Sequence, residues 1–250
     1  MRKVLLSLTM LVLLVPTVLA KSWDVYVISA MHGYHKDHPS FNYDHLYKVV
    51  ERLEPDLVGV EIRPEDIGED THYLNANYPL EMVELAQRFS GRVFGFDWFG
   101  GAITGQPIPK NYWQRLTVKK LERELDKEQA LMARRPPKLD ELQSQQQALL
   151  QSATIESLMD GRYGQLTRAI DQQQQLWLGK TRYQTILDFN QRRDEKIAEN
   201  IVRVMNARSG GTLVVVTGAD HRTFIVENLE RAFAGSIRVH QSLPVTSVVH

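Results

Sequence analysis

The stretch "DLVGVEI", Asp56–Ile62, runs between two carboxylates through four consecutive apolar or small residues. A strand with one wet face alternates polar and apolar side chains. This one does not, so it is expected to be buried on both faces, as in a parallel sheet covered by helices. Upstream, "NYDHLYKVVERLEPD" (42–56) places Leu46, Val49, Val50 and Leu53 at helical spacing, and Pro55 stops the pattern. Before it stands the β-branched run "WDVYVISA" (23–30). Downstream, "PLEMVELAQRF" (79–89) predicts a helix with Leu80, Met82, Val83 and Leu85 on or near one stripe and Gly91 at its end, and "RVFGFDWF" (92–99) a third strand. The pattern resumes with the strand "GTLVVVTGAD" (211–220), the helix "HRTFIVENLERAF" (221–233) and the strand "SIRVHQ" (236–241). Strand–helix alternation with short connections implies an α/β fold: a mostly parallel sheet, right-handed crossovers and flanking helices.

Between the two halves lies a large helical insertion, about 107–180, rich in glutamine ("QSQQQ", 143–147, and "DQQQQ", 171–175). Pro136–Pro137 breaks it, so 113–134 and 138–159 read as the arms of an αα-hairpin. Apolar residues recur throughout, which argues for ordered helices with solvated faces. A lid over a site and a surface or homodimer arm are both open readings. On the long helix 181–208, Leu187, Ile197, Ile201 and Met205 mark a buried stripe. Asn190 and Asp194 fall on it, with Arg193 at its edge, and polar groups on a core face need partners or a water-filled cleft.

The first twenty residues combine Arg2 and Lys3, an apolar stretch Val4–Val15, Pro16 and small residues up to Ala20. That is the layout of a cleaved secretory signal peptide, which leaves 21–250 as one exported domain, periplasmic or extracellular, with no membrane span. Charge is balanced, 30 basic against 30 acidic residues, and becomes −2 without Arg2 and Lys3. No strong field draws the chain to nucleic acid. The absence of cysteine excludes disulfides, thiolate nucleophiles and zinc–thiolate sites.

In an open parallel sheet, ligands bind beyond the carboxyl ends of the strands. Four predicted strands deliver reactive groups there: His32; Glu61 with Arg63; Asp97; and Asp220 with His221. Asp220 is expected to cap the next helix, placing His221 in its first turn, where the dipole favours a neutral ring. Glu61 directly follows an apolar run and needs a close partner. Arg63, two residues on in an extended chain, would point the same way. Asp97 could simply cap the turn after it. His35, His38 and His45 are weaker candidates, although His35 could close a metal site with His32.

At these residues the sequence resembles the superfamily of TraB/GumN proteins, Tiki-type proteases, erythromycin esterases and ChaN haem-binding proteins. The shared pattern is a first strand ending in GxxH, a second ending in E with Arg nearby, a helix carrying R-[DN]-x-x-[MI]-A, and a late strand ending in GxxH. Here these are "SAMH" (29–32), "VEIR" (60–63), "RRDEKIAENI" (192–201) and "GADH" (218–221); Ser29 replaces the usual glycine, which implies a looser turn at His32. The resemblance implies a site of His32, Glu61 and His221. The leading expectation is a hydrolase cleaving an ester or amide bond of a small-molecule or peptide substrate. In one version a divalent metal sits on His32, Glu61 and His221, with Asp97 as a further ligand. In the other, His32 is a general base oriented by Glu61. Arg63 or Arg193 would steady the oxyanion. The alternatives are a non-catalytic haem- or metal-binding protein, with Tyr34 or His35 as ligand, and a degenerate member.

Overall fold

A computed structural model describes residues 22–244; the expected signal peptide lies outside the described residues. Five strands, all parallel, form one sheet: β1 (Trp23–Ala30), β2 (Leu57–Val60), β3 (Val93–Gly95), β4 (Gly211–Gly218) and β5 (Ile237–His240), in the order β3-β2-β4-β1-β5. The α/β reading of the sequence holds. Between β1 and β2 lies α1 (Tyr43–Arg52), capped by Asn42, whose side chain accepts from the His45 amide. Between β2 and β3 lie α2 (Thr71–Asn77) and α3 (Leu80–Arg88). The long connection to β4 carries α4 (Tyr112–Arg115), α5 (Thr117–Leu125), α6 (Gln129–Met132), α7 (Pro137–Gln151), α8 (Ile155–Met159), α9 (Arg162–Leu178) and α10 (Gln184–Asn206). Helix α11 (Ala219–Phe233) joins β4 to β5.

Strand alternation divides the core into two layers. Tyr26, Ile28, Val58, Val60, Val214 and Val216 pack with α1 and α3 on one face. Val25, Val27, Leu57, Leu213 and Val215 pack with α10 and α11 on the other. Chains leaving β1 and β4, which are neighbours, therefore cross to opposite faces and run to opposite sides of the pair. The crevice that opens between their carboxyl ends is where such sheets bind ligands.

Three local expectations are corrected. On α3, Leu80 is exposed and Glu81 is fully buried; the buried residues are Glu81 with the expected Met82, Val83 and Leu85, and Ala86, continued by Phe89. The predicted hairpin does not form as drawn. Its first arm breaks at Leu116, whose backbone is extended (ψ 131), and again at Asp126–Glu128. The second arm breaks at Ser152–Thr154, where Thr154 starts α8 with a capping box. Helix α7 pairs with α9, burying Leu139 and Leu142 against Ile170, while the first arm's α5 turns Val118 and Leu125 to Tyr183 and Ile186 at the start of α10. Finally, Asp220 is not the cap of α11: Gly218 holds that position without a side-chain bond.

The insertion is not a detached arm. Ile155, Leu158, Met159 and Tyr163 join the core beside β1. Asp220 accepts hydrogen bonds from Tyr163 on α9 (2.9 Å) and Gln146 on α7 (3.3 Å). Helices of the insertion thus lie against the carboxyl end of β4. No described helix is long and apolar enough to cross a membrane.

Candidate functional site

Glu61 is the first residue beyond β2 and is buried. Its Oε2 accepts from the Gly218 amide (2.7 Å) and the Thr217 hydroxyl (3.1 Å), while Oε1 accepts from Arg193 Nη2 (2.7 Å). His221 Nε2 stands 3.7 Å from Oε1. Burial alone would raise the Glu61 carboxyl, but His221, Arg193, His32 and the Gly218 amide hold it well below the usual carboxylate range. Arg193 also grips Asp97, through Nε and Nη2 (both 2.9 Å), so one guanidinium ties two strand ends together. Burial pushes Asp97 up, with the nearby Glu61 charge adding to the effect against the pull of Arg193.

The two histidines are held alike. His32 Nδ1 lies 2.7 Å from Glu81 Oε1, and His221 Nδ1 lies 2.5 Å from Asp194 Oδ1. With each Nδ1 proton directed at a carboxylate, each Nε2 is the free nitrogen. His32 sits in the left-handed region (φ 50) in a short 3-10 turn, and Tyr43 fixes its carbonyl. Non-glycine residues seldom adopt that conformation without surrounding constraint. Burial disfavours both imidazoliums, and Arg193 further opposes that of His221. The carboxylates outweigh these effects and raise both pKa values: Glu81 and Glu61 at His32, Glu61 and Asp194 at His221.

Gly218 explains the glycine of the late motif. A Cβ there would lie 2.9 Å from His32 Nε2 and 3.4 Å from Glu61 Oε2. The same geometry shows that His32 and Glu61 meet beside this backbone. Gly218→Ala is therefore expected to displace His32 and cut turnover on the order of 10²-fold, as an ångström-scale misplacement does; kcat/KM beside an unchanged unfolding midpoint checks it.

Of the predicted residues, His32, Glu61, His221, Arg193 and Asp97 come together. Arg63 does not. The Ile62 amide bonds back to the Val60 carbonyl (2.8 Å), a tight turn that ends the extended chain. Arg63 is thereby turned away to Asp66 (2.7 and 2.8 Å) and to the Ile103 and Gln106 carbonyls (both 2.9 Å). It clasps the loop after β3 and offers nothing to an oxyanion. His35 is fully buried with both nitrogens engaged, by the Phe41 carbonyl and the Met31 amide, so it holds the turn and is not free for a metal or haem. His38 bonds the Leu150 carbonyl and the Ser40 and Phe41 amides, and His45 the Ser40 carbonyl. Tyr34 is exposed near enough to Tyr163 to be felt by its phenol. Ser29 lies inside β1, paired with Thr217, so no turn there requires glycine; the tight turn falls at His32 itself. The Ser29 hydroxyl is buried without a partner. The residue that orients His32 is Glu81, which sequence reasoning missed, and not Glu61. Its signal was its place on the α3 stripe, where every neighbour is apolar.

A resident divalent ion would need uncommitted donor atoms here. Both Glu61 oxygens and both Asp97 oxygens already accept bonds, and Arg193 supplies fixed positive charge between them. Among the described residues, no three His, Asp or Glu side chains stand at metal-holding spacing. The residues do not fit such an ion in this arrangement.

What remains is one imidazole with an open Nε2, a second beside a fixed carboxylate, and a guanidinium that locks that carboxylate in place. This can move a proton to and from a water or a leaving group. Comparison with known proteins adds no identification: no family model matches the chain, and neither curated proteins nor solved structures match it significantly.

Proposed function

We propose that the chain is an exported hydrolase of TraB/GumN–Tiki type that cleaves an ester or amide bond without a resident metal. The observation that carries this reading is the pair of imidazoles, each oriented through Nδ1 by a carboxylate, with Nε2 of His32 beside Gly218 and Nε2 of His221 3.7 Å from Glu61 Oε1. His32 Nε2 takes the proton of an attacking water. Glu81 keeps the proton on Nδ1 and stabilises the imidazolium that forms. His221, whose imidazolium Glu61 and Asp194 favour, polarises the carbonyl and gives a proton to the leaving group. Arg193 positions Glu61 and Asp97; its Nε and Nη2 are committed to them, so its contribution is indirect. The motif resemblance and the signal-like residues 1–20 support the family and the export.

The test is turnover of a panel of p-nitrophenyl esters and short peptide amides by the mature chain. Hydrolysis above background that is lost in the His32 variant described in the Discussion supports the reading. Failure on the whole panel, with a Soret band in protein from haem-supplied cells, moves the chain to the binding class instead.

The pH profile carries a second expectation. His32 must be neutral to act, and its pKa is raised, so kcat/KM should climb through a pKa above the ordinary histidine value of about 6.5. Glu81→Gln removes the charge that raises it. The ascending limb should then move to lower pH while the plateau falls by about 10–100-fold, as loss of an oriented, stabilised imidazolium implies. An unmoved limb would show that another group controls the rate.

A further inference from the structure

The glutamine run of the insertion has a place in the fold. Helices α9 and α10 enclose a crevice of about 340 Å³. Asp171, Gln172 and Gln174 line it from one side and Asn190 from the other, with Phe224 at its wall beneath the Arg168 guanidinium. Asp194 belongs both to this lining and to the site, since it holds His221. The crevice therefore opens onto the rim of the reacting groups.

Part of the polar lining is committed: Gln175 bonds to Gln184, Gln191 to Glu195, Arg168 to Glu227 and Asp194 to His221. Gln172, Gln174, Asn190 and Asp171 make no side-chain hydrogen bond or ion pair among the described residues. Carboxamides donate and accept from one planar group, and a carboxylate accepts twice. That set matches hydroxyls, which also do both. An aliphatic acyl chain would leave these groups unpaired, at a cost. An anion would meet Asp171 and Asp194, and the cation of the lining, Arg168, is already paired with Glu227; desolvation, with the charges of Asp194 and Asp220 adding to it against Arg168, pushes Asp171 up to about 6.

We infer that this crevice binds the sugar or polyol part of the substrate, neutral or amino-bearing, through adjacent hydroxyls. The inference rests on the hydrolase reading for its catalytic consequence and on the crevice alone for binding.

The experiment has two arms, applied to the mature chain and to a Gln174→Leu/Asn190→Leu variant. In the first, acetate release is compared for an O-acetylated methyl glucoside and hexyl acetate. The wild type should prefer the sugar ester by about tenfold or more, because a site built for hydroxyls rejects an analogue lacking them. The variant should bring the ratio near unity and leave hexyl acetate unchanged. A wild-type ratio near unity, or a preference the variant does not alter, overturns the inference. In the second arm, amide NMR shifts are followed with methyl glucoside, methyl galactoside and methyl glucosaminide. Shifts on α9 and α10 that vanish in the variant support it even where neither ester is hydrolysed, in which case the hydrolase reading alone fails. No shift with any of the three overturns it.

Discussion

His32→Ala is expected to lower kcat/KM by about 10²–10⁴-fold, the usual contribution of a positioned general base, with little change in fold. The side chain is about two-fifths exposed (40%), and among the described residues its ring hydrogen-bonds only to Glu81. Its removal leaves Glu81 buried without that partner, so some loss of stability accompanies the kinetic loss. The two effects separate readily. Under conditions where the variant is fully folded by circular dichroism, the rate defect should persist. His32→Ala/Glu81→Gln should recover stability and recover no rate. If His32→Ala keeps wild-type turnover, the proton-transfer role belongs elsewhere.

Arg193→Met is expected to cost about 3–5 kcal/mol of folding stability, the range for breaking a buried ion pair from one side. Arg193 is the shared counter-charge of Glu61 and Asp97, whose side chains are 6% and 2% exposed. Without it two carboxylates are buried together, with the histidines, backbone amides and the Thr217 hydroxyl left to offset them. The sign with pH follows from Glu61. Its pKa is depressed in the folded state, so the stability it contributes is present above its unfolded value and is lost as pH falls toward about 2. Arg193→Met removes one cause of that depression, so the gap between wild type and variant should narrow on acidification. Adding Asp97→Asn should restore part of the loss at neutral pH by removing one of the two charges. Urea unfolding across pH measures all three. A stability change below about 1 kcal/mol, the scale of a surface pair, would mean that the guanidinium is not the counter-charge of this site.

Much of this arrangement was legible before any coordinates. The unbroken apolar run at Leu57–Val60 marked a doubly buried strand, and asking what each strand delivers at its carboxyl end brought out His32, Glu61, Asp97 and His221. Asp194 and Arg193 stood out as polar groups on a buried stripe. What escaped depends on turns and pairings that periodicity does not encode. The turn closed by the Ile62 amide sends Arg63 away from Glu61, although two residues of extended chain would have kept them together. Glu81 was hidden because Leu80 beside it is the more hydrophobic residue, yet the helix is rotated so that the carboxylate faces His32. Of the "MHGYH" histidines, His35 serves the backbone of its own turn, and no spacing distinguishes that use from ligation. The hairpin failed because a helical stripe says that a helix has a partner and not which one.

In the proposed hydrolysis His32, Glu61 and His221 act without a resident metal. The most direct test is the hydrolysis rate of one panel substrate by protein whose metal content has been measured, before and after exhaustive chelation. The rate should stay unchanged within about twofold, inside the scatter of ~0.4 kcal/mol in a barrier, at a metal content far below one per chain. A rate that falls to the level of His32→Ala on chelation and returns with a stoichiometric divalent ion would contradict it.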